Sequence, residues 1–143
     1  WGNETPDSTR LTFSNSISTT PVGQYGAKGQ SPYGCDDIAG NVWEWTRNLW
    51  GKDGSKPEFG YPYTTRQALR EDLQAGSDVL RVLHGGSFGE DARNVRCACR
   101  GRLFPSSLNV NVGFRVILRP PSFGQLRTSL SSLWPLTLCP LIL

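Results

Sequence analysis

The sequence predicts a loop-rich α+β or β domain, and three observations carry that reading. Gly and Pro account for 16 and 10 of 143 residues, which cuts the chain into short elements and argues against a helix bundle. The apolar fraction is a modest 37%, yet five Trp supply large anchors that offset the shortage of aliphatic side chains. Short apolar–polar alternations recur along the chain, with the period of two that half-buried strands show. The length is that of one domain, long enough to bury roughly two thirds of its unfolded surface.

The elements follow in order. Residues 1–34 are polar and punctuated by Thr5-Pro6-Asp7 and Pro21-Val22-Gly23, so loops with one or two short strands are expected. Residues 36–45 alternate and end in Val42-Trp43-Glu44-Trp45, which reads as a strand with both Trp on one face. Residues 51–65 form a long loop. Thr65 is placed to cap a helix over 66–75 with Gly76 as its stop; Ala68, Leu69 and Leu73 would be its apolar side. Strands are expected at 79–83, at 93–100, and at 114–118 with Phe114, Val116 and Leu118 on one face. The segment 119–143 has no acidic residue and reads as a poorly structured tail, its apolar end being too short to span a membrane.

Charge narrows the function classes. The net charge is +3, and Arg119 and Arg127 of the tail account for two of 15 basic residues, leaving 13 against 12 acidic ones. A near-neutral core gives no electrostatic footprint for nucleic acid. No run of about 20 apolar residues predicts a membrane span. The chain starts at Trp1 without a leader pattern, which reads as a truncated N-terminus and favours a cytoplasmic location. Cys35, Cys97, Cys99 and Cys139 fit no zinc spacing, and His84 is the only His. Cys97 and Cys99 would lie about 6.6 Å apart along a strand, beyond the separation of about 5.5 Å that suits a disulfide, so no disulfide framework is expected.

Chemistry-bearing residues cluster in short motifs: GNVWEW at 40–45, LHGGSF at 83–88, RCACR at 96–100 and VGFRV at 112–116. Trp43 and Trp45 at strand spacing are core residues. Gly85-Gly86-Ser87 lacks the Lys and helix of a phosphate loop, so its glycines are expected to serve a bulge or close backbone packing. His84 reads as a packed or surface residue. Four Arg between 93 and 102 leave open a basic patch for a carboxylate or phosphate, with Arg96 and Arg100 mainly structural. Arg115 reads as a buried, hydrogen-bonded framework residue, Asp37 as a turn cap, and Glu44 as the partner of a basic group.

In this order and spacing the motifs resemble the domain of formylglycine-generating enzymes (sulfatase-modifying factors), over about residues 1–118. The resemblance implies a C-type-lectin-like α+β fold of small antiparallel sheets, few helices and long loops. It implies a calcium site from the Asp37 and Glu44 side chains with the Gly40 and Val42 carbonyls, a donor mixture that suits the ion. It also implies copper held by two Cys of the strand, since a soft metal prefers thiolate. Cys97 falls on the second of those positions; the first is Ala92, which cannot ligate. Cys99 is a small apolar residue in this reading, although it would share a face with Cys97.

The resemblance therefore implies a non-catalytic module for a protein or peptide ligand. Its binding face would lie between 88 and 111 and include Glu90, Asp91, Arg93, Asn94, Arg102 and Phe104. That segment resembles the ligand-binding face of variable proteins from diversity-generating retroelements. The alternatives are a copper- and oxygen-dependent oxidase acting on a sulfatase-type Cys motif through Cys97, and an accessory domain of a sulfoxide-synthase-like enzyme.

Overall fold

The computed structural model describes residues 2, 4–14, 16–63 and 67–118. Thr65 as a helix cap, the side chain of Ala68 and the tail at 119–143 lie outside the described residues. Four strands build one sheet: β1 (Trp43–Gly51), β2 (Leu80–His84), β3 (Gly101–Leu103) and β4 (Val112–Gly113), in the order β3-β2-β1-β4. β1 pairs antiparallel with β2 and parallel with β4, and β2 pairs antiparallel with β3. The sheet is thus mixed, where antiparallel pairing alone was expected. A 3₁₀ turn at Gly26–Lys28 and the single helical turn α1 (Gln67–Arg70) are the helical elements among the described residues.

The strand expected at 36–45 begins only at Trp43 and then continues to Gly51. Asp37, Gly40 and Asn41 hold positive φ, at 52°, 77° and 63°, so the chain turns rather than extends before the first Trp. Asp and Asn tolerate that region better than other side chains. Gly40 cannot carry one at all, since a Cβ there would lie 2.4 Å from the Thr12 carbonyl oxygen. Register along β1 slips between Trp45 and Leu49. The Thr46 hydroxyl spans this bulge, donating to the Val82 carbonyl (3.0 Å) and accepting from the Asn48 N–H (3.2 Å). The slip lets consecutive Leu49 and Trp50 both be buried.

Two small cores result. Trp50, Leu80 and Val82 pack on one side; Leu11, Ala39 and Val95, with Phe13 against them, form the other. Gly86 (φ 72°) joins the second, because a Cβ there would sit 2.7 Å from the Val95 Cα. The glycine pair thus serves close backbone packing, as its sequence suggested.

Three expected elements differ. The helix is one turn rather than 66–75, and its expected apolar side faces out: Leu69 and Leu73 are 56% and 57% exposed while Arg70 is 3% exposed. Asp72 ends the helix, its carboxylate accepting the Gln74 N–H and its carbonyl the Ala75 N–H. Residues 93–100 form turns, not a strand. There the Asp91 carboxylate caps the Arg93 and Asn94 N–H groups, and its carbonyl accepts from Asn94 and Val95. At 114–118 no strand forms either: Phe114, Val116 and Leu118 are exposed, and Arg115 turns inward instead.

Candidate functional site

The motifs converge on one another. The Gly40 N–H donates to the Gly85 carbonyl (2.6 Å), the Phe88 N–H to that of Asn41 (2.9 Å), and the Trp43 N–H to that of Asn111 (2.9 Å). Arg115 closes the assembly. Its Nε donates to Glu44 Oε2 at 2.5 Å and its Nη2 to Glu44 Oε1, while Nη1 and Nη2 reach the carbonyls of Asp36 (3.1 Å) and Asp37 (2.9 Å). The hydrogen bond to Glu44 raises the Arg115 pKa further above its already high value, with burial opposing. Asp37 lies beside this pair, and burial raises its carboxyl pKa while a Gly23 N–H opposes that rise. Its Oδ2 is buried without a hydrogen-bond partner.

These positions bear on the calcium set of Asp37, Gly40, Val42 and Glu44. Both Glu44 oxygens are engaged by Arg115, which leaves Asp37 Oδ2 as the orphaned carboxylate oxygen of the set. The guanidinium is held by one carboxylate and two carbonyls. As arranged, the donors do not fit the ion unless Arg115 releases Glu44. Among the described residues no three or more His, Cys, Asp or Glu cluster in a way that could hold a metal ion.

The 88–111 segment separates its expected ligand residues into three groups. Glu90 and Asn94 are structural struts: Glu90 Oε1 accepts from the Trp43 indole (3.0 Å), and Oε2 accepts from Asn94 Nδ2 (2.8 Å). Asp91 and Arg93 form an exposed ion pair at 2.8 Å. Arg102 stacks over the Trp50 ring at 4.8 Å. With Phe104, Lys52, Gly54, Leu80 and Leu103 it lines an open groove of about 550 Å³.

Cys97 and Cys99 are free thiols, Cys97 exposed and Cys99 half-buried. Burial, reinforced by Glu90, pushes the Cys99 thiol up from its ordinary value, which suppresses the thiolate that copper would need. The Cys99 Sγ faces Asn94 Oδ1 at 4.0 Å. Cys35 is buried. His84 is half-buried and packed against the backbone of Cys97 and Cys99; burial lowers its pKa, and Arg100 adds to the fall while the Cys99 backbone bond opposes it. Nothing in the sequence signalled Arg70, which sat on the supposed outer face of the helix and is among the most buried polar residues described.

A small curled mixed sheet, few helices and long loops pinned by side-chain bonds define a C-type-lectin-like domain. The solved structure of Treponema denticola variable protein 1 superposes on it with a TM-score of 0.50 and 25% identity, over 74% of this chain and 34% of that one. Residues 1–120 match the family model of the sulfatase-modifying factor enzyme 1-like domain, and the chain belongs to that family. Among curated relatives, the serine/threonine-protein kinase pkn1 of Chlamydia caviae is 36% identical over 100 residues, covering 70% of this chain and 15% of the kinase. The formylglycine-generating enzyme of Mus musculus is 35% identical over 100 residues, covering 68% of this chain and 23% of the enzyme. The chain thus spans less than a quarter of the length of either relative.

Proposed function

We propose that this domain is a non-catalytic binding module for a protein or peptide, presenting the 88–111 segment. The observation that carries the reading is Ala92: the family pattern places one copper cysteine there, and a methyl group cannot bind metal. The burial-raised thiol of Cys99 makes it a poor substitute beside the exposed Cys97. Matching stretches in proteins named as a kinase and as a formylglycine-generating enzyme support a scaffold separable from any one chemistry. Of the expected face, Asp91, Arg93, Arg102 and Phe104 are the exposed members, Asp91 being paired with Arg93, whereas Glu90 and Asn94 hold the loop.

The competing reading is a copper-dependent oxidase acting on a sulfatase Cys motif through Cys97. Oxygen uptake with Cu(I) and a Cys-containing sulfatase peptide separates the two. The binding module shows no uptake beyond that of the Cys97→Ala variant; uptake lost in that variant would replace this reading with the oxidase. Binders selected from a displayed peptide library should lose at least about 100-fold in affinity when Arg93, Arg102 and Phe104 are changed together to Ala, in line with two or three interface hot spots. Unchanged affinity would eliminate the face.

A further inference from the structure

We propose that Arg70 and Arg100 form a binding site for a ligand carboxylate, distinct from the exposed Arg93, Arg102 and Phe104 of the 88–111 segment. Arg70 is 3% exposed and its guanidinium lies 3.8 Å from the centre of the Tyr63 ring. One of its nitrogens, Nη2, is bonded to Glu71 (2.9 Å), while Nε and Nη1 are buried with no hydrogen-bond partner. Arg100 approaches the same Tyr63 ring at 5.7 Å and the Trp50 ring at 5.3 Å. Its Nε and Nη2 are likewise buried and unpartnered. The two guanidiniums, each against the Tyr63 ring, thus hold buried donors with no acceptor among the described residues.

Buried charged donors left without acceptors are expensive, because they lose water and gain nothing in return. An oxyanion offsets that loss, since the planar guanidinium fork matches two oxygens of a carboxylate or phosphate. Charge chooses between them. Two guanidiniums stand against one carboxylate, Glu71, and the remaining single positive charge balances a carboxylate. A phosphate would bring nearly two negative charges and leave an excess in a buried place.

The experiment uses the ¹⁵N-labelled full chain and follows the arginine Nε–H resonances by NMR. Sodium acetate, inorganic phosphate and sodium chloride are titrated at matched ionic strength. Two peptides are added as further arms, one with its C-terminal carboxylate and no other, the second its C-terminal amide. The Arg70 and Arg100 Nε–H signals should shift saturably with acetate or with the free-acid peptide, whichever supplies the carboxylate, and not with the amide. Arg100→Lys, which keeps the charge and loses the fork, should weaken that binding at least tenfold, while Arg47→Lys on the exposed surface should not. Shifts no larger than chloride produces, tighter binding of phosphate than of either carboxylate, or equal binding by Arg100→Lys would each overturn the proposal. The wild-type titration stands on its own should Arg100→Lys fail to fold.

Discussion

Replacing Arg115 with Ala is the sharpest test of how this domain is held together. The change removes both donors to the Glu44 carboxylate and those to the Asp36 and Asp37 carbonyls. The side chains of Arg115 and Glu44 are 26% and 19% exposed, so the pair lies between two regimes. A surface pair contributes about 0–1 kcal/mol, and breaking a fully buried one costs about 3–5 kcal/mol. A loss of about 2–4 kcal/mol is expected here, because Glu44 keeps some water while the carbonyls lose their donors. That is a large share of the roughly 5–15 kcal/mol a domain possesses. Urea unfolding followed by Trp fluorescence measures it as a lower midpoint at unchanged slope. Glu44→Gln should cost less than Arg115→Ala, and the double variant less than the two single costs together, with a coupling of about 1–3 kcal/mol. An Arg115→Ala protein within about 0.5 kcal/mol of wild type, or strictly additive costs, would refute the framework role of the pair.

Two further outcomes follow from the core and from the single histidine. Val82→Ala, at a fully buried site beside Trp50 and Leu80, should cost about 2 kcal/mol, whereas Leu69→Ala on the exposed side of α1 should fall within about 0.5 kcal/mol; equal costs in urea unfolding would restore the helix face expected from the sequence. Burial holds the His84 pKa below its unfolded value of 6.5, so the unfolded chain binds the extra proton first as pH falls. The stability attached to neutral His84 is therefore complete above the unfolded pKa and lost as pH drops toward the folded one. Wild type should lose more stability than His84→Gln between pH 7.5 and pH 5, and parallel losses would contradict the burial argument.

The parts of the fold that were legible in the sequence are those where a residue type has one physical use. Gly85-Gly86 announced close backbone approach, and the Val95 Cα at 2.7 Å from a would-be Gly86 Cβ is that approach. Two Trp at strand spacing announced a core strand; Trp43 is buried in β1, while Trp45 is only half-buried. Arg115 as a hydrogen-bonded framework residue was also readable from its place in the last motif, although it is half-buried rather than buried. Alternation misled where a side chain could satisfy the backbone locally. Asp91 converts 93–100 into turns by capping two N–H groups, and Asp72 stops the helix after one turn. Periodicity carries no information about such caps, since the competing hydrogen bond is decided by a single side chain. Arg70 was illegible for a related reason: with one helical turn, the face is set by the aromatic ring of Tyr63 and not by the spacing of leucines.

Distribution of the bonds explains why the motif series reports family more firmly than activity. Gly40 is tied to Gly85, Asn41 to Phe88, Trp43 to Asn111 and Arg115 to Glu44, and each identity answers a need of that assembly: a positive φ, a close approach, an indole held by Glu90, a fork that fits a carboxylate. The positions on which chemistry would turn, Ala92, Cys97 and Cys99, lie outside the strands and outside that web of bonds. Changing them breaks none of the ties among the motifs. A chain can therefore keep the scaffold while its loop gains or loses a metal ligand, and among the described residues buried N–H donors of Arg70 and Arg100 stand without a partner.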